Sequence, residues 1–379
     1  MRRRAGGRAA RLFAVLLTGV VLSGCGTDGY VPSGPFRPVP EGAPPEVGPP
    51  TENPARPSPG EPAEPGSGEE PGDPNVMASG LAVPTGLVVL PDGSTVVGER
   101  DTGRLLQVFP DRSPARELMT LPGVDAAGDG GLLGLALSPT FLEDGLFYAY
   151  VSTATDNRVV RFPLGGTPNP VLTGIPRGAV HNGGGLLFDA DGTLLVGTGD
   201  AGDPALGADP SSLGGKVLRI DVFGTPVGDG PVVSRGHRDV RALCAGNEEA
   251  VYATDDGPDV VAPVTDGGDV GSRTARPVVT ILDEEGGLGG CTAAGQFLFL
   301  GALDGERIHV VTLDESGVSV EDPEEVLGGE YGRLRTVVLD PEGGLWITTS
   351  NRDGVGTPAE DDDKVLRILP PSTAGDSPL

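Results

Sequence analysis

Beyond residue 80 the chain repeats one pattern of apolar and polar positions. A short apolar strand is followed by a turn of the Asp-Gly kind, and then by a strand in which apolar and polar residues alternate. The pattern occurs six times, at 87–100, 135–152, 186–200, 243–256, 291–305 and 337–350. Because this region shows no convincing helical periodicity, we expect an all-β fold.

The six repeats are evenly spaced. Successive turns lie 47 to 56 residues apart, and the residues at their centres are Asp92, Asp144, Asp191, Asn247, Gly295 and Glu342. A repeat of this length has room for four short strands. The sequence therefore predicts a six-bladed β-propeller of four-stranded antiparallel blades over residues 81–370. A β-sandwich is the alternative, but it does not account for a steady period.

Residues 1–24 have the pattern of an export signal. Several arginines precede an apolar run from Leu12 to Leu22, which is shorter than the roughly 20 residues that a membrane-spanning helix needs. Ser23 and Gly24 then precede Cys25, as in a lipoprotein signal whose cysteine is lipidated after cleavage. An ordinary signal peptide with an incidental cysteine is the alternative. We expect a protein anchored through Cys25 at the extracytoplasmic face of the cell membrane.

A tether is predicted between the anchor and the propeller, over residues 25–80. Residues 31–75 contain 15 of the 38 prolines, together with Gly, Glu and Ser. Such a segment buries too little apolar surface to offset the entropy of ordering it, so we expect disorder. At about 3.1 Å per residue in an extended conformation, it would reach on the order of 100 Å from the membrane. Residues 371–379 are expected to be a disordered tail.

The net charge excludes some classes of partner. It is −27, and loss of the five arginines in residues 1–24 would take it to −32. Such a surface repels the phosphates of nucleic acids and anionic lipid headgroups. We therefore expect no nucleic-acid partner, and contact with the membrane through the lipid anchor only.

Two cysteines remain beyond Cys25, and they are predicted to pair. Export would place Cys244 and Cys291 in an oxidising compartment. They stand 47 residues apart, close to one repeat, and each precedes the turn of its repeat by three or four residues. This spacing puts them at comparable heights on neighbouring blades, where a disulfide can form. Two buried free thiols are the alternative.

The loops that lead into the first strand of several repeats carry unusual polar residues. These are Asp129, His181, His237, Arg238, Arg333 and Arg335. Loops of this kind gather at one mouth of the central channel of a propeller, where a rigid scaffold can present a site. His181 lies in a glycine-rich loop, 19 residues before Asp200, and a His–Asp pair can take a proton from a hydroxyl. A structural hydrogen bond is the alternative for His181 and the favoured interpretation of His237.

Eight short motifs follow one another in a characteristic order. They are ERDTGRLL (99–106), GDGGLLGLALSPTF (128–141), DNRVVRF (156–162), HNGGGLLFDADGTLLVGTGDAGDP (181–204), GGKVLRID (214–221), GHR (236–238), GALDGERI (301–308) and RLRTV (333–337). In these motifs the chain resembles the soluble quinoprotein glucose/sorbosone dehydrogenases, which use pyrroloquinoline quinone (PQQ). The resemblance runs from about residue 86 to 369, and it is strongest to actinobacterial lipoproteins of that family. It implies a dehydrogenase that oxidises an aldose or related sugar by hydride transfer to PQQ, with an unknown electron acceptor.

The resemblance also implies roles for individual residues at the substrate. His181 matches the general base that removes the hydroxyl proton, and Asp200 matches the acid that orients it. Asp129 and His181 are expected to contact the sugar. Arg238 matches an arginine that contacts oxygens of both cofactor and substrate.

A second set of residues is implied to hold the cofactor. Arg333 and Arg335 match a pair of arginines that bind the carboxylates of PQQ. The backbone carbonyls of Gly257 and Pro258 match ligands of a calcium ion that bridges the protein and PQQ, and Ca²⁺ prefers such hard oxygen ligands.

Three positions depart from the family pattern. Asp239-Val240-Arg241 replaces Asn-Pro-Gln after GHR, the segment 259–269 replaces an Asp-Glu-containing stretch, and Asp304 stands where Lys or Arg is usual. Because PQQ carries three carboxylates, an anion near it would weaken its binding by a few kcal/mol at an effective dielectric near 20. Arg241 and Arg307 are the candidates to compensate.

These departures leave two other functions open. The first is a propeller that has lost the cofactor and serves as a binding or assembly platform in the cell envelope. The second is a calcium-dependent lactonase or similar hydrolase on a six-bladed scaffold, although the carboxylate and amide metal cage expected for it is not evident in the sequence.

Replacing Cys25 with Ser is expected to release the protein from membranes, because no other segment of the sequence is apolar enough to anchor it. Cell fractionation followed by immunoblotting compares the variant with the wild type. A variant that still sediments with membranes after a high-salt wash would contradict the lipid anchor.

Overall fold

The sequence repeats fold into six sheets, one for each repeat. A computed structural model describes residues 72–369. The first strand of the described residues, β1 (Val76–Ala78), belongs to the last sheet. The first three blades contain β2 (Pro84–Val89), β3 (Thr95–Glu99), β4 (Arg104–Val108) and β5 (Arg116–Thr120); β6 (Leu132–Leu137), β7 (Leu146–Ser152), β8 (Asn157–Pro163) and β9 (Asn169–Ile175); and β10 (Gly183–Phe188), β11 (Leu194–Thr198), β12 (Lys216–Ile220) and β13 (Val232–Arg235).

The remaining blades follow the same order. They contain β14 (Val240–Ala245), β15 (Val251–Asp255), β16 (Val260–Pro263) and β18 (Val279–Thr280); β19 (Leu288–Ala294), β20 (Phe297–Ala302), β21 (Arg307–Thr312) and β22 (Glu324–Val326); and β23 (Leu334–Leu339), β24 (Leu345–Thr349) and β25 (Val365–Ile368) followed by β1. Helices are short in the described part: α1 (Phe141–Asp144), α2 (Pro204–Ala208) and two 3-10 turns, Asn247–Glu249 and Asp283–Glu285. The predicted six-bladed β-propeller is confirmed.

Two strands depart from the simple repeat. The strand β17 (Gly268–Asp269) lies between β16 and β18 in sequence but pairs in parallel with β13, so the third blade gains a fifth strand. The strand β1 pairs antiparallel with β25 and completes the sixth blade, with Val76 opposite Leu366. The last blade therefore includes residues that the sequence analysis assigned to the tether.

The ring closes through contacts between the first strands of adjacent blades. The strands β2, β6, β10, β14, β19 and β23 each contact the next, and β23 returns to β2. Glycine allows this close approach, because a Cβ on Gly134 would collide with the carbonyl oxygen of Gly184 in the next blade. A Cβ on Gly290 would lie 2.6 Å from the backbone nitrogen of Val337. The channel is therefore narrow, and the loops at its mouth lie close together.

The hydrophobic core lies between the blades. Tyr148 and Ile175 of the second blade pack with Leu194 and Leu218 of the third. Trp346 of the sixth blade is fully buried in a cluster with residues of the first blade and β1. Full burial of a Leu or Ile side chain such as those in these clusters contributes roughly 1.5–3 kcal/mol. Each blade interface is thus a separate apolar layer.

Cys244 and Cys291 form the predicted disulfide. They lie in β14 and β19, the first strands of neighbouring blades, with their Cα atoms 5.8 Å apart. Both side chains are buried. The bridge therefore ties the fourth blade to the fifth beside the channel.

The predicted signal, the lipidation site at Cys25, most of the tether and the tail beyond residue 369 lie outside the described residues. Between residues 72 and 369, no helix is both long and apolar enough to cross a membrane.

Replacing both Cys244 and Cys291 with Ala is expected to lower the free energy of unfolding by about 4 kcal/mol, since the bridge closes a loop between residues 47 apart. Urea denaturation measures the loss. Mass spectrometry of the alkylated, unreduced protein provides the control, and two alkylatable thiols in the wild type would refute the bridge.

Candidate active site

The polar loops converge at one mouth of the channel. Asp129 precedes β6, His181 precedes β10, Arg238 precedes β14 and Arg333 precedes β23. These are equivalent places in four blades, at the entry to the innermost strand. A central cavity of about 120 Å³ lies below them and is lined by residues from all six blades. The channel's other end opens into a wider, mainly apolar cavity of about 940 Å³ that none of these polar residues line.

His181 and Asp200 form a hydrogen-bonded pair at this mouth. The Nδ1 atom of His181 lies 2.8 Å from Oδ1 of Asp200. The carboxylate has no exposed surface, whereas the imidazole is 18% exposed. Since the carboxylate accepts a hydrogen bond from Nδ1–H, the other ring nitrogen, Nε2, is the one that can accept a proton from a ligand. The pair thus has the geometry of an oriented general base.

The backbone around His181 holds the ring in this position. His181 has a φ of 56°, in the left-handed region that side chains other than glycine seldom adopt. Its carbonyl accepts a hydrogen bond from the backbone N–H of Ala201 at 3.0 Å. The N–H of Gly202 donates to Oδ1 of Asp200 at 2.8 Å. The two loops are therefore bound to each other at both backbone and side chain, and strain of this kind is often found at functional sites.

Arg238 lies close to the second carboxylate oxygen of Asp200. Its Nε is 3.6 Å from Oδ2, an atom that is buried and has no hydrogen-bond partner in the described part of the chain. The guanidinium is 46% exposed. Arg238 can therefore contact a ligand at the mouth while it stays beside the carboxylate of Asp200.

A buried network holds the Arg238 loop. Two of its members, Ser234 and Asp255, were not predicted from the sequence. The ring of His237 lies between Oγ of Ser234, at 2.8 Å, and Oδ2 of Asp255, at 3.2 Å. The other oxygen of Asp255 accepts the backbone N–H groups of Arg238 and Asp239, at 2.9 and 2.8 Å. Ser234 is only 1% exposed, so it cannot meet a substrate. His237 therefore has the expected structural position.

Asp304 binds a neighbouring arginine, whereas it was expected to face the cofactor. Its Oδ1 lies 2.6 Å from Nη1 of Arg333, and Oδ2 of Asp353 lies 2.9 Å from Nε of the same arginine. Asp304 thus neutralises Arg333 rather than facing the cavity, which neither residue lines. Of the two arginines expected to act together, the structure places only Arg335 in the cavity.

Arg335 lines the cavity without a counter-ion. Its Nε is buried and has no hydrogen-bond partner among the described residues. Burial, together with the positive charges of Arg241 and Arg100, lowers the pKa of Arg335 to about 10. A buried guanidinium without a counter-ion lowers the stability of the fold unless an anion binds to it. The cavity therefore has the chemistry of a site for an anionic ligand.

The residues proposed for calcium lie near Arg238. A Cβ on Gly257 would be 3.5 Å from Nε of Arg238. Pro258 lines a separate pocket of about 350 Å³, which it shares with Arg238 and Asp255. Within residues 72–369, no group of three or more His, Cys, Asp or Glu side chains is arranged to hold a metal ion. Calcium at the Gly257 and Pro258 carbonyls stays a prediction.

The fold and the mouth of the channel define a six-bladed propeller with an oriented histidine beside a buried cationic cavity. The family model for Glucose / Sorbosone dehydrogenase matches residues 81–269 and 292–357. The chain belongs to this family.

Solved structures agree with this assignment. The PQQ-bound aldose sugar dehydrogenase of Streptomyces coelicolor is 36% identical, with a TM-score of 0.74, over 77% of this chain and 95% of that chain. A putative oxidoreductase (glucose dehydrogenase) from Thermus thermophilus is 32% identical, with a TM-score of 0.71, over 78% of this chain and 98% of that chain. Quinoprotein glucose dehydrogenase B of Acinetobacter calcoaceticus is 27% identical over 52% of each chain. The chain spans about half the length of the curated relatives that it matches.

Replacing Arg335 with Met is expected to raise the free energy of unfolding of the cofactor-free protein by about 1 kcal/mol or more, because an unpaired buried charge is exchanged for an apolar side chain. Urea denaturation followed by the fluorescence of Trp346, the only tryptophan, measures the change.

Arg333→Met is the matched control in the same blade. It should lower the free energy of unfolding by about 3 kcal/mol, because buried Asp353 loses its partner. Equal destabilisation by the two substitutions would show that Arg335 is not an unpaired charge.

Proposed function

We propose that this protein is a PQQ-dependent dehydrogenase that oxidises a hydroxyl of an aldose or related sugar. The observation that carries the proposal is the His181–Asp200 pair at the mouth of a cavity that contains the uncompensated guanidinium of Arg335. A base next to an anion site is the combination that a sugar and an acidic quinone require. The family assignment and the PQQ-bound Streptomyces coelicolor relative support the same conclusion.

The residues of the cavity fit the cofactor. PQQ bears three carboxylates, and Arg335 offers a buried Nε with no partner in the described protein. The cavity walls contain backbone rather than bulky side chains at Gly183, Gly184 and Gly290. When bound, PQQ supplies a two-electron oxidant that accepts the hydride equivalent of the sugar. Arg335 would hold a carboxylate, and Arg238 would contact oxygens at the rim.

His181 is the group that moves the proton. Its Nε2 accepts the proton of the sugar hydroxyl, while Asp200 fixes the tautomer and stabilises the imidazolium that results. Arg238 lies beside Asp200, and its exposed guanidinium would contact sugar oxygens. Asp129, which lines the cavity, accepts a hydrogen bond from another sugar hydroxyl. These contacts orient the substrate before reaction.

Calcium is part of the proposal through the backbone carbonyls of Gly257 and Pro258. Two carbonyls are an incomplete ligand set for an ion that takes six to eight oxygens. Further oxygen ligands would be needed to complete it. Cofactor binding should accordingly weaken in the presence of a chelator.

The location proposed for this activity is the extracytoplasmic face of the cell membrane, with the propeller tethered through lipidated Cys25. The support is the sequence of residues 1–80.

A catalytically inactive envelope platform is the second candidate. The pairing of Arg333 with Asp304 and Asp353 favours it, because it removes one cation from the expected cofactor site. Stoichiometric binding of PQQ would exclude it, and so would turnover.

The test of the proposed function is reconstitution of the purified chain with PQQ and Ca²⁺, followed by assay of a panel of aldoses with an artificial dye acceptor. We expect dye reduction that depends on both sugar and PQQ. No turnover with any aldose, together with no bound PQQ, would reject the proposal.

Replacing His181 with Ala should lower kcat by at least about 10²-fold, the low end for loss of a general base. PQQ binding and the thermal unfolding profile should stay close to those of the wild type. His309→Gln is the matched control, because His309 is buried in β21 and hydrogen-bonds the carbonyl of Glu285 outside the cavity. Unchanged turnover in PQQ-loaded H181A would remove His181 from the mechanism.

A further inference from the structure

The central cavity contains a second arginine, Arg241, which has no part in the mechanism described above. Arg241 lies in β14 and Arg335 in β23, and they are the two basic side chains among the described residues that line the cavity. Asp129 and Asp239 are the acidic ones. Any anion bound in the cavity must therefore find its positive charge in Arg241 and Arg335.

Other arginines near the channel are directed to protein carboxylates elsewhere. Arg333 is bound by Asp304 and Asp353, as described above. Nη1 of Arg307 lies 2.5 Å from Glu325, and its Nε donates to the carbonyl of Gly305 at 2.7 Å. Arg307 does not line the cavity. Arg241 and Arg307 were the two arginines expected to compensate for Asp304, and only Arg241 lines the cavity.

Two carboxylates hold Arg241 in a fixed orientation. Its Nε donates to Oδ2 of Asp239 at 2.8 Å, and its Nη2 lies 2.5 Å from Oδ2 of Asp256. Asp239 is anchored in turn, because its Oδ1 accepts the backbone N–H of Gly183 at 2.7 Å. A guanidinium fixed in this way loses little further side-chain entropy when a ligand binds.

Arg241 and Arg335 also repel each other across the cavity. After burial, the charge of Arg241 is the largest influence that lowers the pKa of Arg335. An anion bound between the two guanidiniums relieves their repulsion. It gains the attraction of unpaired Arg335 and that of Arg241, which Asp239 and Asp256 partly offset. This arrangement favours a ligand with carboxylates over a neutral one.

We propose that Arg241 binds a carboxylate of the quinone cofactor together with Arg335. The positive charge that position 304 lacks is then supplied from the fourth blade instead of the fifth. The Asp239-Val240-Arg241 sequence and Asp304 are on this view two parts of one rearrangement. The inference rests on the proposed function, since it concerns the same cavity and cofactor.

The experiment is isothermal titration of PQQ into the cofactor-free chain in the presence of Ca²⁺. Arg241→Gln should raise Kd at least tenfold and make it less sensitive to added salt, because one charge–charge contact is lost. Arg307→Gln is the matched control and should leave Kd within twofold. If the affinity for PQQ fell but its salt dependence stayed unchanged, the loss would come from disturbed packing, and the role of Arg241 would be overturned.

The double substitution Arg241→Gln with Asp256→Asn is a control for misfolding. It removes the charge of Arg241 together with that of its ion-pair partner Asp256, so no unpaired carboxylate is left at position 256. It should unfold at nearly the wild-type temperature and still bind PQQ at least tenfold more weakly. If the wild type binds PQQ and both variants bind equally well, the role of Arg241 is overturned and the proposed function stands. If the wild type binds no PQQ, both are overturned.

Discussion

The structure depends on close backbone contact between the six innermost strands. Gly134 against Gly184, and Gly290 against Val337, allow adjacent blades to meet with no side chain between them. The ring is consequently tight enough for loops from four blades to reach one mouth. The disulfide between Cys244 and Cys291 fixes one of these interfaces covalently. Without this constraint His181, Arg241 and Arg335, which lie far apart in sequence, would not share one site.

Within that ring, the distribution of carboxylates decides what each charged residue can do. Asp200 orients His181, and Asp239 with Asp256 orients Arg241. Asp304 and Asp353 withdraw Arg333 from the cavity. Arg335 alone of these arginines has no such partner in the described protein, and it retains a charge that costs stability when the cavity holds no anion. A trade of stability for binding is common at functional sites.

Much of this fold could be predicted from the sequence because the inner two strands of each blade carry a local, repeated signal. The strand β1 was missed, since three residues beside a proline-rich segment give no pattern and their partner, β25, lies at the other end of the propeller. The strand β17 is only two residues long and pairs across blades. Such pairings depend on the tertiary structure rather than on local sequence.

In the candidate site, too, local features could be predicted from the sequence and tertiary contacts could not. The mouth residues could be located from the blade repeat, and the His181–Asp200 contact was anticipated. Asp304 was expected to face the cofactor directly, whereas it binds Arg333 outside the cavity, because a sequence shows a charge but not the group that it faces. Asp255 was missed for a similar reason: it acts through two backbone N–H groups, and neither has a signature in the sequence. The partners of a charged residue, rather than its identity, determined its role in this molecule.

The central claim is that the unpaired guanidinium of Arg335 is the binding group for an acidic quinone. A crystal structure of the protein soaked with PQQ and Ca²⁺ tests it most directly. The account predicts density for one PQQ molecule in the central cavity, with a carboxylate oxygen within hydrogen-bond distance of Nε of Arg335. An empty cavity at saturating PQQ, or a protein carboxylate bound to that nitrogen, would contradict it.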